Sequence, residues 1–397
     1  MKKVPRLRFR GFSEDWEHRK VEELGDTFTG LTGKTKEDFG HGDATFVTYI
    51  NVFSNPITDL KMTESVEIDA KQNQVEYGDI FFTTSSETPE EVGMSSVWLG
   101  NEANVYLNSF CFGYRPVTEL APYYMAFMLR SPNVRKKFIL LAQGISRYNI
   151  SKNRVMDIEI PVPNIDEQRK VGQFFKDIDD LITLHQRKLD QLKELKKAYL
   201  QLMFPKKDET VPRVRFADFE DDWQLCKLGE TFSIIMGQSP NSENYTENPD
   251  DYILVQGNSD MKNNKVVPRI WTTQVTKKAE KGDLILSVRA PVGEIGKTDY
   301  NVVLGRGVAA VKGNDFIFQQ LRKMKDSGYW TRYSTGSTFE SINSNDIKEA
   351  LINIPNKDEQ QKIGDLFTHL DDAIILNQNK LNQLKSLKKS YLQNMFI

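Results

Sequence analysis

The chain has 397 residues, about 2.6 times a ~150-residue domain, so two or three globular units are expected, each long enough to bury its own core. A composition of 39% hydrophobic and 27% charged residues excludes a wholly disordered, collagenous or disulfide-dense protein, and the two cysteines, Cys111 and Cys226, lack the CxxC spacing of zinc or redox sites. With 53 Lys and Arg against 55 Asp and Glu the net charge is −2, so a case for nucleic-acid binding rests on local clusters, not on the total.

In chain order, the opening from Met1 to Phe12 is basic and has no apolar stretch suited to a signal peptide. No later run approaches the ~18 apolar residues of a spanning helix, which sets the expectation of a cytoplasmic protein. Thr45 to Val52 and Ile80 to Thr84 are β-branched or aromatic runs that read as strands, and Pro122 to Lys137 has helical patterning. Pro163 to Phe204 reads as one long helix: Asn164-x-x-Glu167 is a capping-box-like start, no proline interrupts it, and apolar residues recur at three- and four-residue steps through Ile178, Leu181, Leu189, Leu192, Leu195 and Tyr199. Its His185 and Lys188 are polar seam positions, better suited to setting register than to binding a ligand.

The second half repeats the first. Pro5-Arg-Leu-Arg-Phe-Arg-Gly-Phe-Ser-Glu-Asp-Trp16 returns as Pro212-Arg-Val-Arg-Phe-Ala-Asp-Phe-Glu-Asp-Asp-Trp223, Leu24 to Phe28 returns as Leu228 to Phe232, and Gly78 to Phe82 as Gly282 to Leu286. Ile253 to Gln256 and Asp283 to Val288 read as strands, and Phe316 to Lys325 as a helix. Pro163 to Phe204 aligns without a gap on Pro355 to Phe396 with 26 of 42 positions identical, so a second long helix is expected from Asn356-x-x-Glu359, with Asn377 and Lys380 at the places of His185 and Lys188. A globule followed by a helix, taken twice, is most economically built with the two helices antiparallel and with Ile397 near the start of the chain. At ~1.5 Å per residue each helix would be on the order of 55 Å, comparable to ~16 base pairs of duplex.

Motifs for catalysis are missing. Gly33-Lys34-Thr35 and Gly296-Lys297-Thr298 imitate the end of a phosphate-binding loop, but Phe28 and Pro291 stand where its first glycine is required. There is no HExxH, no GxSxG and no Asn- or Asp-Pro-Pro-aromatic segment of an amino-methyltransferase.

The PRxRFxxFxxxW opening, the Gly-Asp-apolar strand followed by Ser287-Val-Arg-Ala-Pro-Val-Gly293, the Gly336 to Phe339 segment and the Glu-Gln-x-Lys helices together resemble the DNA specificity subunit of type I restriction-modification enzymes, over the whole chain. The resemblance implies an α+β fold with a pseudo-twofold internal repeat: target-recognition domains at 1–162 and 206–354, and conserved spacer helices at 163–205 and 355–397 forming an antiparallel coiled coil. It implies that each globular domain reads one half of an asymmetric bipartite target in double-stranded DNA, and that the helices set the spacing and dock two methylation subunits. The chain itself would be non-catalytic and bind no cofactor. S-adenosylmethionine, ATP and Mg are expected on the partner subunits, the last two with the motor-nuclease restriction subunits, and no membrane partner is expected. The alternative is a structural adaptor whose twin heads bind proteins at the ends of a helical rod.

Candidate DNA contacts follow from residue chemistry. Between Arg115 and Arg154 lie eight basic residues (Arg115, Arg130, Arg135, Lys136, Lys137, Arg147, Lys152 and Arg154) against Glu119 alone, a bias suited to phosphates, with Lys136 and Arg147 preferred. Polar loops near the start of each domain, Gly30 to Lys36 and Gly237 to Asn241, pair Lys34 and Lys36 with Gln238 and Asn241, side chains suited to guanine or phosphate and to adenine respectively, although ordinary surface turns have the same composition. Ser85 and Ser86 offer hydroxyls beside the strand at Ile80, where the other copy offers Arg289. Late in each domain, Tyr148 and Thr338 stand in matched Gly-x-Ser/Thr-rich segments, where an aromatic can serve a base or simply the core. Trp16 and Trp223 recur and are therefore read as structural. Leu184, Leu200, Leu376 and Leu392 lie off the main helix seam and are expected to meet a partner helix.

Overall fold

The computed structural model describes residues 4–206, 208–333 and 341–397. The chain divides into two compact units, one comprising Met1–Leu184 with Lys380–Ile397 and the other His185–Asn379. Both long helices exist, at Ile165–Leu202 and Lys357–Asn394, and each contributes to both units.

In the first unit, a four-stranded antiparallel sheet runs in the order Gly25–Thr29, Cys111–Pro116, Ile80–Thr83, Ser95–Val97. A three-stranded sheet (Thr63–Val66, Phe39–Val47, Val105–Leu107) has one antiparallel and one parallel pair. Ile80–Thr83 is buried on both faces: Phe82 stacks on Phe138 (ring centroids 5.8 Å) in the core that includes the helices Pro122–Met128 and Pro132–Leu140, while Phe81 belongs to a separate core with Trp98 and Val105. That double burial is why Ile80, Phe81 and Phe82 follow one another without polar alternation. Two sequence expectations change here. Thr45 to Val52 is not one strand, because Thr48 caps a short helix, Tyr49–Ser54, by accepting from the Asn51 N–H at 3.3 Å. The helix expected from Pro122 to Lys137 is two, since Pro132 cannot continue the first and opens the second.

The second unit repeats this plan. Its six-stranded sheet contains Ile234–Met236, Val308–Val311, Leu284–Ser287 and Ile295–Lys297 in the same order as the four strands above, extended by Lys265–Val266 and Met261–Lys262. Tyr252–Val255 pairs in parallel with Val302–Leu304, as Phe39–Val47 does with Val105–Leu107. Leu286 faces the helix Asp315–Asp326 and Ile285 the five-stranded sheet behind.

The helix starts are built identically. Asn164 Oδ1 accepts from the Glu167 N–H and Asn356 Oδ1 from the Glu359 N–H, both at 2.9 Å, satisfying one of the orphan donors of a helix N-terminus. The glutamates do not turn back on the cap. Glu167 takes a bidentate pair from Arg8 (2.6 and 2.7 Å) and the Trp16 indole N–H (3.0 Å); Glu359 takes Arg215 at 2.8 and 2.8 Å. The second Arg of the PRxRF element is thus structural in both copies, tying it to the helix start, and Trp16 joins the tie in the first copy alone.

Within each unit the two long helices run antiparallel. In the first, Phe174 meets Tyr391 (ring centroids 5.1 Å), Phe175 meets Phe396 (5.4 Å) and Asp179 pairs with Lys388 at 2.5 Å. In the second, Phe204 meets Phe367 (5.9 Å), Lys196 pairs with Asp371 at 2.6 Å and His185 Nδ1 lies 3.2 Å from Asn377 Oδ1. The Lys–Asp pair recurs with the helices' roles exchanged, as a repeated sequence folded back on itself requires. The Leu7 N–H bonds to Asn394 O at 2.9 Å, and at the matching place in the repeat the Val214 N–H bonds to Leu202 O at 3.0 Å. No described helix is long and apolar enough to cross a membrane.

Candidate nucleic-acid interface

Four chain segments are laid side by side in each unit by main-chain hydrogen bonds. In the first unit the loop after Gly25–Thr29 is fixed where the Leu31 N–H bonds to Leu107 O at 2.7 Å. Gly30 is required there, since a Cβ would sit 2.0 Å from Asn108 O. The turn Asn108–Phe110 comes next, and the Thr84 N–H bonds to Phe110 O at 3.1 Å. Ser85–Ser86 then pairs antiparallel with Tyr148–Asn149, and the Ile150 N–H bonds to Thr84 O at 2.9 Å.

The second unit uses the same connections. Gln238 N–H bonds to Leu304 O (2.9 Å), a Cβ at Gly237 would lie 2.0 Å from Gly305 O, Val288 N–H bonds to Gly307 O (2.9 Å), and Ile342 N–H bonds to Val288 O (3.0 Å). Arg289 bridges to Ser341 where Ser85 pairs with Asn149. The scaffold is common to both units; the side chains it presents differ.

On that scaffold the candidates fall into groups. Ser85, Ser86 and Tyr148 are brought together, with exposed Arg147 adjacent to Tyr148. Ser86 is buried and its hydroxyl donates to Thr88 O at 2.5 Å, while half-buried Ser85 accepts the Tyr49 hydroxyl on its carbonyl at 2.6 Å. Lys36 is exposed, but Lys34 is largely covered and held by Asp69 at 3.0 Å. That hydrogen bond raises the Lys34 pKa, and Asp69 is pushed down to about 2 by the Lys71 N–H, Lys34 and Gln72. Lys34 is therefore a loop fastener. In the second unit Gln238 and Asn241 are exposed, and Ser239 Oγ accepts the Arg306 N–H at 3.0 Å, placing exposed Arg306 beside them. Arg289 is exposed, its carbonyl accepting the Ser287 hydroxyl at 2.8 Å. Lys136 is exposed on the helix Pro132–Leu140, which none of the bonds above joins to the four segments. Thr338 lies outside the described residues.

The basic bias of residues 115–154 is half consumed by the fold. Arg130 is half-buried and donates to Val52 O (2.8 Å), Phe53 O (3.0 Å), Ser54 O (3.4 Å), Asn55 O (3.0 Å) and Ser95 O (2.6 Å), capping the carbonyl end of the helix Tyr49–Ser54. Arg135 holds Gly93 O, Val92 O and Glu90 O at 2.8, 2.5 and 3.0 Å. Burial lowers both guanidinium pKa values, to about 9 and about 10, which leaves them charged at neutral pH. Arg115 makes a bidentate pair with buried Asp79 (2.8 and 2.8 Å), and Lys137 donates to Glu159 O at 2.5 Å. Sequence reasoning could not separate these cations from surface ones, because their acceptors lie 22 to 78 residues away in the chain.

Of the helix leucines, Leu184 and Leu376 are 59% and 70% exposed, and Leu392 is half-buried against the first core. Leu200 does not stay open for a partner: it is 8% exposed, in the second core with Phe204 and Phe367. Phe110, which sequence reasoning passed over, is 63% exposed in the Asn108–Phe110 turn. Among the described residues no group of three or more His, Cys, Asp and Glu could hold a metal ion. Cys111 is buried, which pushes its thiol up to about 12 and leaves it unreactive.

Comparison with known proteins agrees with this architecture. The model of the Type I restriction modification DNA specificity domain matches twice, at residues 13–194 and 220–386. A protein of Methanocaldococcus jannaschii assigned as the type I restriction enzyme MjaX specificity subunit is 26% identical over 394 residues, covering 96% of this chain and 92% of its own. The HindI specificity subunit of Haemophilus influenzae is 25% identical over 194 residues, covering 44% of this chain and 41% of its own. The crystal structure of the type I restriction-modification S subunit from M. genitalium is similar in fold, with a TM-score of 0.64 and 16% identity over 99% of both chains. Two matched recognition domains on one common scaffold, each followed by a long helix, place the chain in the type I restriction-modification DNA specificity family, as a specificity subunit without a catalytic role of its own.

Proposed function

We propose that each unit reads one half of an asymmetric, bipartite duplex DNA target through its four aligned segments, and that the two long helices hold the half-sites at a set separation. The observation that carries this reading is the recurrence of the same main-chain scaffold in both units with different side chains upon it: Lys36, Ser85 and Arg147 in one, Gln238, Asn241 and Arg289 in the other. Short hydroxyl and amide side chains with exposed cations are the groups that bond base edges and phosphates. A specificity subunit of this family works with methylase and restriction subunits. In the finer reading two methylation subunits bring S-adenosylmethionine to adenine N6, docking on helix positions that include Leu184 and Leu376, and motor-nuclease subunits use ATP and Mg to cut unmodified DNA, all in the cytoplasm.

The test is selection from a random duplex pool by the chain assembled with methylation subunits. The expected result is two short, different motifs at one fixed spacing, with affinity that falls steeply as salt rises. Recovery of one contiguous motif would overturn the two-headed reading, and recovery of none would favour twin heads that bind proteins.

A further inference from the structure

Phe110 is the only phenylalanine among the described residues whose surface is mainly exposed; the others are buried or half-buried. The exposure does not come from a loose loop. The Phe110 N–H bonds to Asn108 Oδ1 at 2.9 Å, and its carbonyl accepts both the N–H and the hydroxyl of Thr84, at 3.1 and 2.8 Å. Asn108 is itself buried, its side-chain Nδ2 donating to Val47 O at 2.9 Å, and the next residue, Cys111, is in the core. The backbone on both sides of the ring is therefore pinned while the ring stands out, an arrangement that spends little conformational freedom when the ring meets a surface.

Its position is informative. The turn lies between the loop that carries Lys36 and the strip that carries Ser85, in the middle of the four segments assigned above to DNA. At the equivalent place in the second unit, Gly307 O accepts the Val288 N–H as Phe110 O accepts that of Thr84; glycine carries no side chain there, and the exposed residue before it is the cation Arg306. A ring present in one unit and absent from the other belongs to what distinguishes the units, not to the scaffold they share.

We infer that Phe110 makes an apolar contact to a base in the half-site read by the first unit. This inference rests on the DNA-reading function proposed above. A hydrocarbon ring has nothing to offer a phosphate, and the apolar surfaces that DNA presents are the thymine 5-methyl group in the major groove and the face of an unstacked base.

The test compares wild type, Phe110→Ala and Phe110→Leu, each assembled with methylation subunits, on the duplex that the wild-type complex selects. Phe110→Ala should weaken binding roughly 5- to 100-fold and relax the preference at one base pair of the first half-site. The second half-site, the spacing and the slope of log affinity against log salt should not change, because no phosphate contact is lost. Phe110→Leu should recover part of the affinity. Uracil in place of thymine at the relaxed position weakens only the wild type if the methyl group is touched, and weakens neither if the ring lies on a base face. Unchanged affinity and preference in Phe110→Ala would overturn the inference, as would a variant that loses assembly with the methylation subunits while keeping wild-type preference. If the wild-type complex selects no bipartite site, the DNA-reading function itself fails, a result visible before any variant is made.

Discussion

Arg130 and Arg147 look alike in the sequence and stand differently in the fold, the first spent on main-chain carbonyls and the second exposed. Arg130 donates to five main-chain carbonyls, so Arg130→Met should cost about 3 kcal/mol or more of stability in urea unfolding, through the acceptors left without that donor. It should leave the salt dependence of DNA affinity as it was. Arg147→Gln should leave stability within about 0.5 kcal/mol and lower the magnitude of the salt slope by about one. The contrast marks the limit of what could be read from the chain alone. Local signals were legible: Asn164 and Asn356 cap their helices through the N–H three residues on, and Trp16 and Trp223 are core residues. Long-range acceptors were not. Nothing adjacent to Lys34 announces Asp69, and nothing near Glu167 announces that its carboxylate goes to Arg8 and Trp16 and not back to its own cap. Trp223 shows how far the repeat can drift, since its indole nitrogen has no hydrogen-bond partner among the described residues although Glu359 is retained.

The long helices were the most legible elements, because uninterrupted 3.6-residue periodicity over ten turns leaves no competing structure. What periodicity hides is how close another element comes. In the first unit Gly172 faces the start of the helix Pro122–Met128 so tightly that a Cβ would lie 2.5 Å from the Tyr124 nitrogen and 2.8 Å from the Tyr123 carbonyl carbon. At the matching Gly364 the nearest atoms, of Asp315 and Phe316, would be 3.1 Å away. Alanine improves intrinsic helix propensity by about 1 kcal/mol at either position. Backbone cannot yield as a side-chain tip can, so Gly172→Ala should be destabilising by about 1–3 kcal/mol, and Gly364→Ala should be clearly milder. Thermal unfolding of the two variants beside the wild type checks the order. The four-segment scaffold was only half legible for a similar reason. Its glycines and short polar runs could be found, but the turn Asn108–Phe110 is set by bonds to Val47 and Thr84, which one-dimensional pattern does not pair.

For the whole molecule the proposed function makes spacing a property of helix length. Four residues inserted into both long helices, after Gln186 and after Gln378, would lengthen each by ~6 Å, about two base pairs of duplex. Selection with the lengthened chain should return the same two half-motifs with that larger gap between them; an unchanged gap would assign the ruler to another part of the complex.

The bonds that align the four segments run almost wholly between peptide groups, from Leu31 to Leu107, Thr84 to Phe110 and Ile150 to Thr84, with their counterparts at Gln238, Val288 and Ile342. Peptide groups are the same whatever side chain they carry. Under the proposed function, mutation at Lys36, Arg147, Gln238 or Arg289 would therefore rewrite the message without disturbing the page, and a lineage could move from one target to the next through intermediates that all still fold.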